Sequence, residues 1–376
     1  MKYARKIHPM LLDDIKSSNK VIILYGPRQS GKTTLSKLAA VELNYKSLYI
    51  NADQSKFIDI LSSRDSNKIK NLITGYQLLI IDEGQRIPEI GINLKIIHDE
   101  IPDIKLLVTG SSSFLLSNKV NESLAGRKII YTLLPISISE LRAHLTPFEI
   151  NEQLDKLLIY GIYPEVLKTI KTDSKRNYLE DITDSLIYKD ILDLEDIKFP
   201  QKIRELLKLL AFQIGSQVSI NELSQSLRIN NETVERYLFL LEQSFIIFKL
   251  SAFSRIPRKE ISKSRKYYFY DLGIRNTLIE NFNDFNTRND LGAIWENFII
   301  SERRKKLISE NQYTNSYFWR TYAGTELDYI EERNQELFAY EIKNTKPKLK
   351  APNSWTSNYG NNYQCIFKDN FISFLE

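Results

Sequence analysis

At 376 residues, 42% hydrophobic and 26% charged, the chain is too long for one ordinary domain and apolar enough for two or three packed cores. A single cysteine, Cys365, excludes an intrachain disulfide and suits a reducing compartment, while three scattered histidines, His8, His98 and His144, exclude a structural zinc site. The net charge of +5 is too modest to demand a nucleic-acid partner, and neither a secretory signal nor a run of roughly 18 apolar residues is found, so a cytoplasmic protein with no membrane partner is expected.

Val21 to Tyr25 is a short apolar run, as a buried parallel strand requires. GPRQSGKTT follows, and LSKLAAVEL then has helical spacing. This strand–loop–helix context is the one a G-x-x-x-x-G-K-[ST] motif needs. Gly26 and Gly31 let the backbone curl so that its N–H groups face phosphate oxygens, with Pro27, Arg28, Gln29, Ser30 and Thr34 completing the loop. Lys32 reaches the outer phosphates and Thr33 supplies an oxygen to Mg²⁺. The expected cofactors are therefore ATP, or a close relative, and Mg²⁺.

Leu48 to Asn51 reads as a second strand. In YQLLIIDEGQR, Leu78 to Ile81 deliver Asp82 and Glu83 to a strand's carboxyl end, where open α/β sheets bind ligands. Asp82 would hold Mg²⁺ through water, and Glu83 would orient or deprotonate the attacking water. KLLVTGSSS ends in hydroxyls, so Thr109 or Ser111 is placed to sense the γ-phosphate, unless this is an ordinary polar turn. SLAGRKIIYTLLP sets Arg127 just before another strand. It is either a surface arginine or a finger reaching a neighbouring subunit's nucleotide, which implies a homo-oligomer.

GPRQSGKTT, LLIIDEGQR, LLVTGSSS and LAGR, in this order, resemble the AAA-type ATPases common in bacteria and archaea, over roughly the first 190 residues. The resemblance implies that they serve as Walker A, Walker B, sensor 1 and candidate finger. It also implies a sheet with an additional strand between the P-loop strand and the Asp82 strand, which Leu48 to Asn51 can supply.

From Pro135 to about Pro200 apolar residues recur at helical spacing, similar to a small helical lid leading into a linker. From Ile203 three helices are expected: IRELLKLLAFQIG, a second opened by Ser219 with Glu222 as a capping box, and NETVERYLFLLEQS with Val234, Leu238 and Leu241 inward. FIIFKLSAF and KYYFYD are strand-like, which completes a winged helix in outline. They flank a stretch from Ser254 to Phe269 with six cations and one anion, equal to the whole chain's surplus. In a DNA-binding winged helix Thr233, Glu235 and Arg236 would face the bases. Arg255, Arg258, Lys259, Lys263, Arg265 and Lys266 would touch phosphates. The acids Glu232 and Glu235 count against this, and the rival reading is a fold that packs protein against protein.

The last hundred residues begin with a helix, DLGAIWENFIISERRKKL, whose apolar stripe is Leu291, Trp295, Phe298 and Ile299 with Glu296 at its edge. Three strand-like runs follow: SYFWRTY, TELDYIEE and ELFAYEIK. A hairpin centred between Asn334 and Gln335 puts Asp328 opposite Glu341, with Lys343 on the same face as Glu341. Facing carboxylates repel unless a cation lies between them. Asp328 and Glu341 would hold Mg²⁺ or Mn²⁺, and Lys343 would position or activate a water.

This arrangement resembles the PD-(D/E)XK restriction-endonuclease-like superfamily, which implies a metal-dependent cut of phosphodiesters by Glu296, Asp328, Glu341 and Lys343. Leu327 stands where that pattern has proline. With YFYDLGIRN, IWENFIISE and YFWRTYAGTELDYI, the whole chain is similar to prokaryotic AAA-type ATPases whose C-terminal domain of unknown function joins a winged helix to this nuclease-like fold. The expected class is α/β, in four parts: a P-loop ATPase core (1–134), a helical lid and linker (135–200), a winged helix (201–273) and a PD-(D/E)XK nuclease-like domain (274–376). The expected function is ATP hydrolysis coupled to nucleic-acid binding, DNA favoured over RNA, with a metal-dependent nuclease centre. The rival is a nucleotide-driven switch for a protein partner, or a DNA-binding ATPase, with an inactive nuclease-like domain.

Overall fold

The structure, a computed structural model, describes residues 3–111, 122–191, 197, 199–255, 264–346 and 350–376. It divides into two compact units: residues 1–135 with 188–196 and 243–245, and residues 136–187, 197–242 and 246–376.

In the first unit, β1 (Val21–Tyr25), β2 (Ser47–Asn51), β3 (Leu78–Asp82), β4 (Lys105–Gly110) and β5 (Lys128–Thr132) form a parallel sheet in the order β2-β3-β4-β1-β5. Its central strands are apolar throughout because both faces are covered. Val21 and Ile23 pack with Ile50, Ile81 and Val108 on one face; Ile22 and Leu24 pack with Leu35, Ile80 and Leu107 on the other. The strand between β1 and β3 in the sheet is β4, not Leu48 to Asn51. The reason is burial: Leu106, Leu107 and Val108 are apolar on both faces, whereas only Ile50 of β2 is fully buried, as suits an edge. This order sets the carboxyl ends of β1, β4 and β3 side by side.

The second unit opens with helices Ile138–Leu141, Pro147–Tyr160, Pro164–Lys168 and Thr172–Ser185. Capping boxes at Ser137/Glu140 and Thr146/Glu149 start the first two. Helices Pro200–Phe212, Ile220–Leu227 and Asn231–Gln243 follow, with Val234, Leu238 and Leu241 buried. Ser219 caps the second of these through the Glu222 N–H.

β6 (Ile247–Ala252) and β7 (Arg265–Phe269) pair antiparallel, but they are not a free-standing wing. β6 also pairs in parallel with β8 (Asn315–Arg320). With β9 (Glu326–Arg333), β10 (Glu336–Ile342) and β11 (Tyr363–Ile366) they build one mixed sheet, β11-β10-β9-β8-β6-β7. The sheet therefore crosses the boundary expected at 273/274. The burial of Lys266 through Phe269 explains this, since a wing in solvent would expose one face. The helix Leu291–Ser309 differs similarly: beyond its expected stripe, Glu302, Arg303 and Lys305 are also buried.

Candidate nucleotide site and C-terminal acidic centre

Gly26 has φ 152°, Gln29 58° and Gly31 103°. These three positive-φ positions curl the loop into an anion-binding concavity. Gly26 is also required by space, because a Cβ there would lie 2.2 Å from the Leu133 carbonyl oxygen. The helix Lys32–Leu43 starts at Gly31, which has no side chain to cap the first N–H groups. Lys32 is buried, and its Nζ donates to the carbonyls of Gly26 (2.8 Å) and Pro27 (2.9 Å), which holds the ammonium within the loop's curve. Of the loop's other expected contacts, Pro27 and Ser30 are buried, Arg28 is half-buried, and Gln29 and Thr34 are exposed.

Thr33 and Asp82, 49 residues apart, meet directly: Thr33 Oγ1 donates to Asp82 Oδ2 at 2.8 Å. Asp82 Oδ1 accepts from the Thr109 hydroxyl, whose oxygen in turn accepts from the Glu83 N–H at 3.2 Å. Thr109 is fully buried and its one proton is committed to Asp82, so it braces the acid rather than facing a phosphate. Ser111, beyond the end of the same strand, is likewise buried. Glu83 has φ 58°, and its carboxylate accepts from Gln85 Nε2 at 2.5 Å.

Three contributors were given no role by any motif. Arg5 is buried and donates to Ser30 O at 2.8 Å and Leu134 O at 2.5 Å, so the N-terminal segment props the loop from behind. Tyr49 donates to Asp82 Oδ2 at 2.5 Å. Gln85, two residues beyond Glu83, is the third. Only position could have hinted at Tyr49, a hydroxyl two residues before a strand's carboxyl end.

Arg127 lies elsewhere. Its carbonyl accepts from the Val21 N–H, which places it at the amino-terminal edge of the sheet. The loop leaves β1 at the other end, five residues or about 16 Å away. The Arg127 guanidinium donates to Asp99 at 2.9 Å; with His98 it holds the Asp99 carboxyl below its ordinary range. Arg127 does not reach this chain's own loop.

In the second unit the β9–β10 ladder pairs Glu336 with Arg333 and Tyr340 with Tyr329, and just beyond it the Ile342 N–H donates to Asp328 Oδ2 at 2.7 Å. Asn334 and Gln335 both take positive φ, 50° and 68°, as a two-residue hairpin turn needs. The cation between the two carboxylates is Lys343, 2.6 Å from Glu341 and 3.5 Å from Asp328. Burial opposes its charge, but Asp328 and Glu341 outweigh this and hold the ammonium above the usual lysine range. Burial, then Asp328, raises the Glu341 carboxyl.

Glu296 does not join that pair. It accepts from Tyr268 at 2.6 Å and from Lys266 at 3.3 Å, and Lys266 also reaches Glu326 at 2.5 Å. Among the described residues no three His, Cys, Asp or Glu side chains converge as a metal-holding group. Asp328 and Glu341 are thus bridged by Lys343, while Glu296 is held by Tyr268 and Lys266. Lys266 is corrected too: at 2% exposure it is an internal counter-ion and cannot touch a phosphate backbone.

Of the other expected nucleic-acid contacts, Arg258, Lys259 and Lys263 lie outside the described residues. Arg236 is exposed and Thr233 half-buried on the helix Asn231–Gln243. Arg265 pairs with Glu235 at 3.2 Å. Arg255 is exposed, donates to Asn358 O at 2.7 Å and lies 4.9 Å from the Tyr359 ring centroid.

Comparison with known proteins finds three matching family models. Residues 18–142 match an AAA domain, residues 151–284 a domain of unknown function (DUF8612), and residues 291–370 another domain of unknown function (DUF4143). An uncharacterized protein of Mycobacterium tuberculosis is 28% identical over 332 residues, covering 86% of this chain and 70% of its own. An uncharacterized protein of Methanocaldococcus jannaschii is 26% identical over 349 residues, covering 87% and 76%. Among solved structures, a Walker-type ATPase of Pyrococcus abyssi aligns with TM-score 0.47 and 14% identity, covering 74% of this chain and 96% of its own. The RuvB Holliday junction branch migration motor of Thermotoga maritima aligns with TM-score 0.31 and 18% identity, covering 70% and 92%. Among the described residues no helix is long and apolar enough to cross a membrane.

Proposed function

Starting from a chain with an AAA-family P-loop ATPase domain followed by a C-terminal domain of unknown function, we propose that it binds ATP with Mg²⁺ at residues 26–34 and hydrolyses it. The observation that carries this reading is the direct meeting of Thr33 and Asp82 beside the Lys32 loop. Thr33 and Asp82 are the residues that would hold Mg²⁺, which supplies charge neutralisation at the phosphate oxygens. Lys32 balances the outer phosphates' charge, and Glu83 orients the attacking water and accepts its proton. Lys32→Ala should lose nucleotide binding, whereas Glu83→Gln should keep it and slow turnover by about 10²–10⁴-fold. Tight ATP binding by Lys32→Ala would remove the site from this loop.

We further propose that turnover is coupled to nucleic-acid binding, DNA in preference to RNA, through residues 201–273. Support comes from the exposure of Arg236 and Arg255. Binding that weakens steeply between low and physiological salt is the expected signature. Salt-insensitive or absent binding favours the rival, a nucleotide-driven switch for a protein partner.

The convergence of Asp328, Glu341 and Lys343 supports one addition to this reading: a nuclease centre using Mg²⁺ or Mn²⁺. Lys343, which already balances both acids, favours the rival reading, an inactive docking domain. A nuclease screen with each metal, with and without ATP, decides. Cutting lost in Glu341→Ala supports the centre. Cutting that survives both Glu341→Ala and Lys343→Ala places the chemistry elsewhere, and no cutting by an active ATPase favours the docking domain.

A further inference from the structure

Asp82 is held by three hydroxyls from three different elements. Thr33 Oγ1 and the Tyr49 hydroxyl both donate to Oδ2, at 2.8 and 2.5 Å, and Thr109 donates to Oδ1. A carboxylate turns readily about its last torsion, because that torsion has broad wells. The Thr109 bond fixes one oxygen, which leaves the plane of the other to be set by what Oδ2 accepts. Thr33 cannot set it alone, since the same threonine oxygen is needed at the metal.

Tyr49 is built for the task. It stands on β2, two residues before Asn51, the ladder partner of Asp82. Its ring is half-buried and lies 4.7 Å from the Lys37 ammonium, which projects from the helix that follows the loop. The phenol thus carries a cation at its face while its hydroxyl reaches Asp82 on the neighbouring strand. A phenol keeps its proton at neutral pH, so the hydroxyl is a donor to Asp82 Oδ2.

We infer that Tyr49 is a positioning residue for the metal of the metal–nucleotide complex: its hydroxyl fixes the Asp82 carboxylate in the plane that faces Thr33 and so sets the site's affinity for Mg²⁺. This rests on the Mg²⁺–ATP reading above and adds a residue to it that belongs to no motif.

Tyr49→Phe removes the hydroxyl alone and keeps the ring under Lys37. Hydrolysis by the full chain at saturating ATP should be titrated with Mg²⁺, and binding of a fluorescent ATP analogue measured in EDTA. The Mg²⁺ concentration for half-maximal rate should rise about tenfold, the worth of one hydrogen bond to a charged group. Turnover should recover at high Mg²⁺, metal-free nucleotide affinity should stay unchanged, and Tyr49→His should restore part of the shift. A merely structural role predicts the opposite: an equal loss at every Mg²⁺ concentration together with weaker binding in EDTA, and that result overturns the inference. So does a Tyr49→Phe titration that overlays the wild type while the wild type hydrolyses ATP. A wild type with no Mg²⁺-dependent hydrolysis overturns the inference and the reading beneath it together.

Discussion

Glu296 and Lys266 meet inside the second unit, and each explains how the other is tolerated. Burial of a carboxylate favours the protonated form, and burial pushes Glu296 up to about 7, with Lys266 opposing the rise and Asp328 adding to it. Unfolded, a glutamate titrates near 4.3. Between those two values the folded chain holds a proton that the unfolded chain has released. The stability this group contributes is therefore fully present below about pH 4.3 and lost as pH rises through about 7. Glu296→Gln cannot ionise, so its melting temperature should fall less than that of the wild type between pH 4 and pH 8. Parallel curves would show that Glu296 titrates normally. None of this was legible locally: Lys266 sits in a run of cations that reads as a solvated loop, and only its place in a strand covered on both sides makes it internal.

At the scale of elements, the hairpin and the long helix teach opposite lessons. The β9–β10 register followed from alternation and a two-residue turn, both carried by contiguous residues, so the pairing from Arg333–Glu336 to Tyr329–Tyr340 could be read in advance. The helix Leu291–Ser309 could not be read as fully. Its charged residues look like a solvent face, yet Arg303 is buried and chelates the buried Glu331 at 2.7 and 2.9 Å while donating to Phe374 O at 2.8 Å. Such a pair is weak evidence of net stabilisation, but breaking it leaves the buried Glu331 with Arg333, at 3.2 Å, as its remaining ion-pair partner among the described residues. Arg303→Met should cost about 3–5 kcal/mol in urea unfolding, and adding Glu331→Met should regain most of it. A loss under about 1 kcal/mol from the single change would mean that Glu331 finds water or another partner.

At the scale of the whole molecule, the position of Arg127 separates two ways of working. It lies at the edge of the sheet opposite the loop, so it cannot assist hydrolysis in its own chain. If it serves as a finger, it serves a second copy. ATPase activity per mole should then rise with protein concentration, and Arg127→Ala should lower turnover without weakening nucleotide binding. Concentration-independent activity from a proven monomer, matched by Arg127→Ala, would return Arg127 to a surface arginine paired with Asp99.

What the sequence determined by itself is the chemistry that neighbours in the chain can specify. Residues 26–34 and 78–83 each form a complete signal, because one loop and one strand end supply the groups and their spacing. Contacts that cross long gaps in the chain were settled by folding. Arg5 reaches Leu134 across 129 residues, Tyr49 reaches Asp82 across 33, and Lys266 reaches Glu296 across 30. Which strand lies between β1 and β3, and whether β6 and β7 stand as a wing or join a larger sheet, were decided in the same way. A hydrogen bond or a strand pairing depends on which surfaces the whole chain leaves to be covered, and no local pattern encodes that.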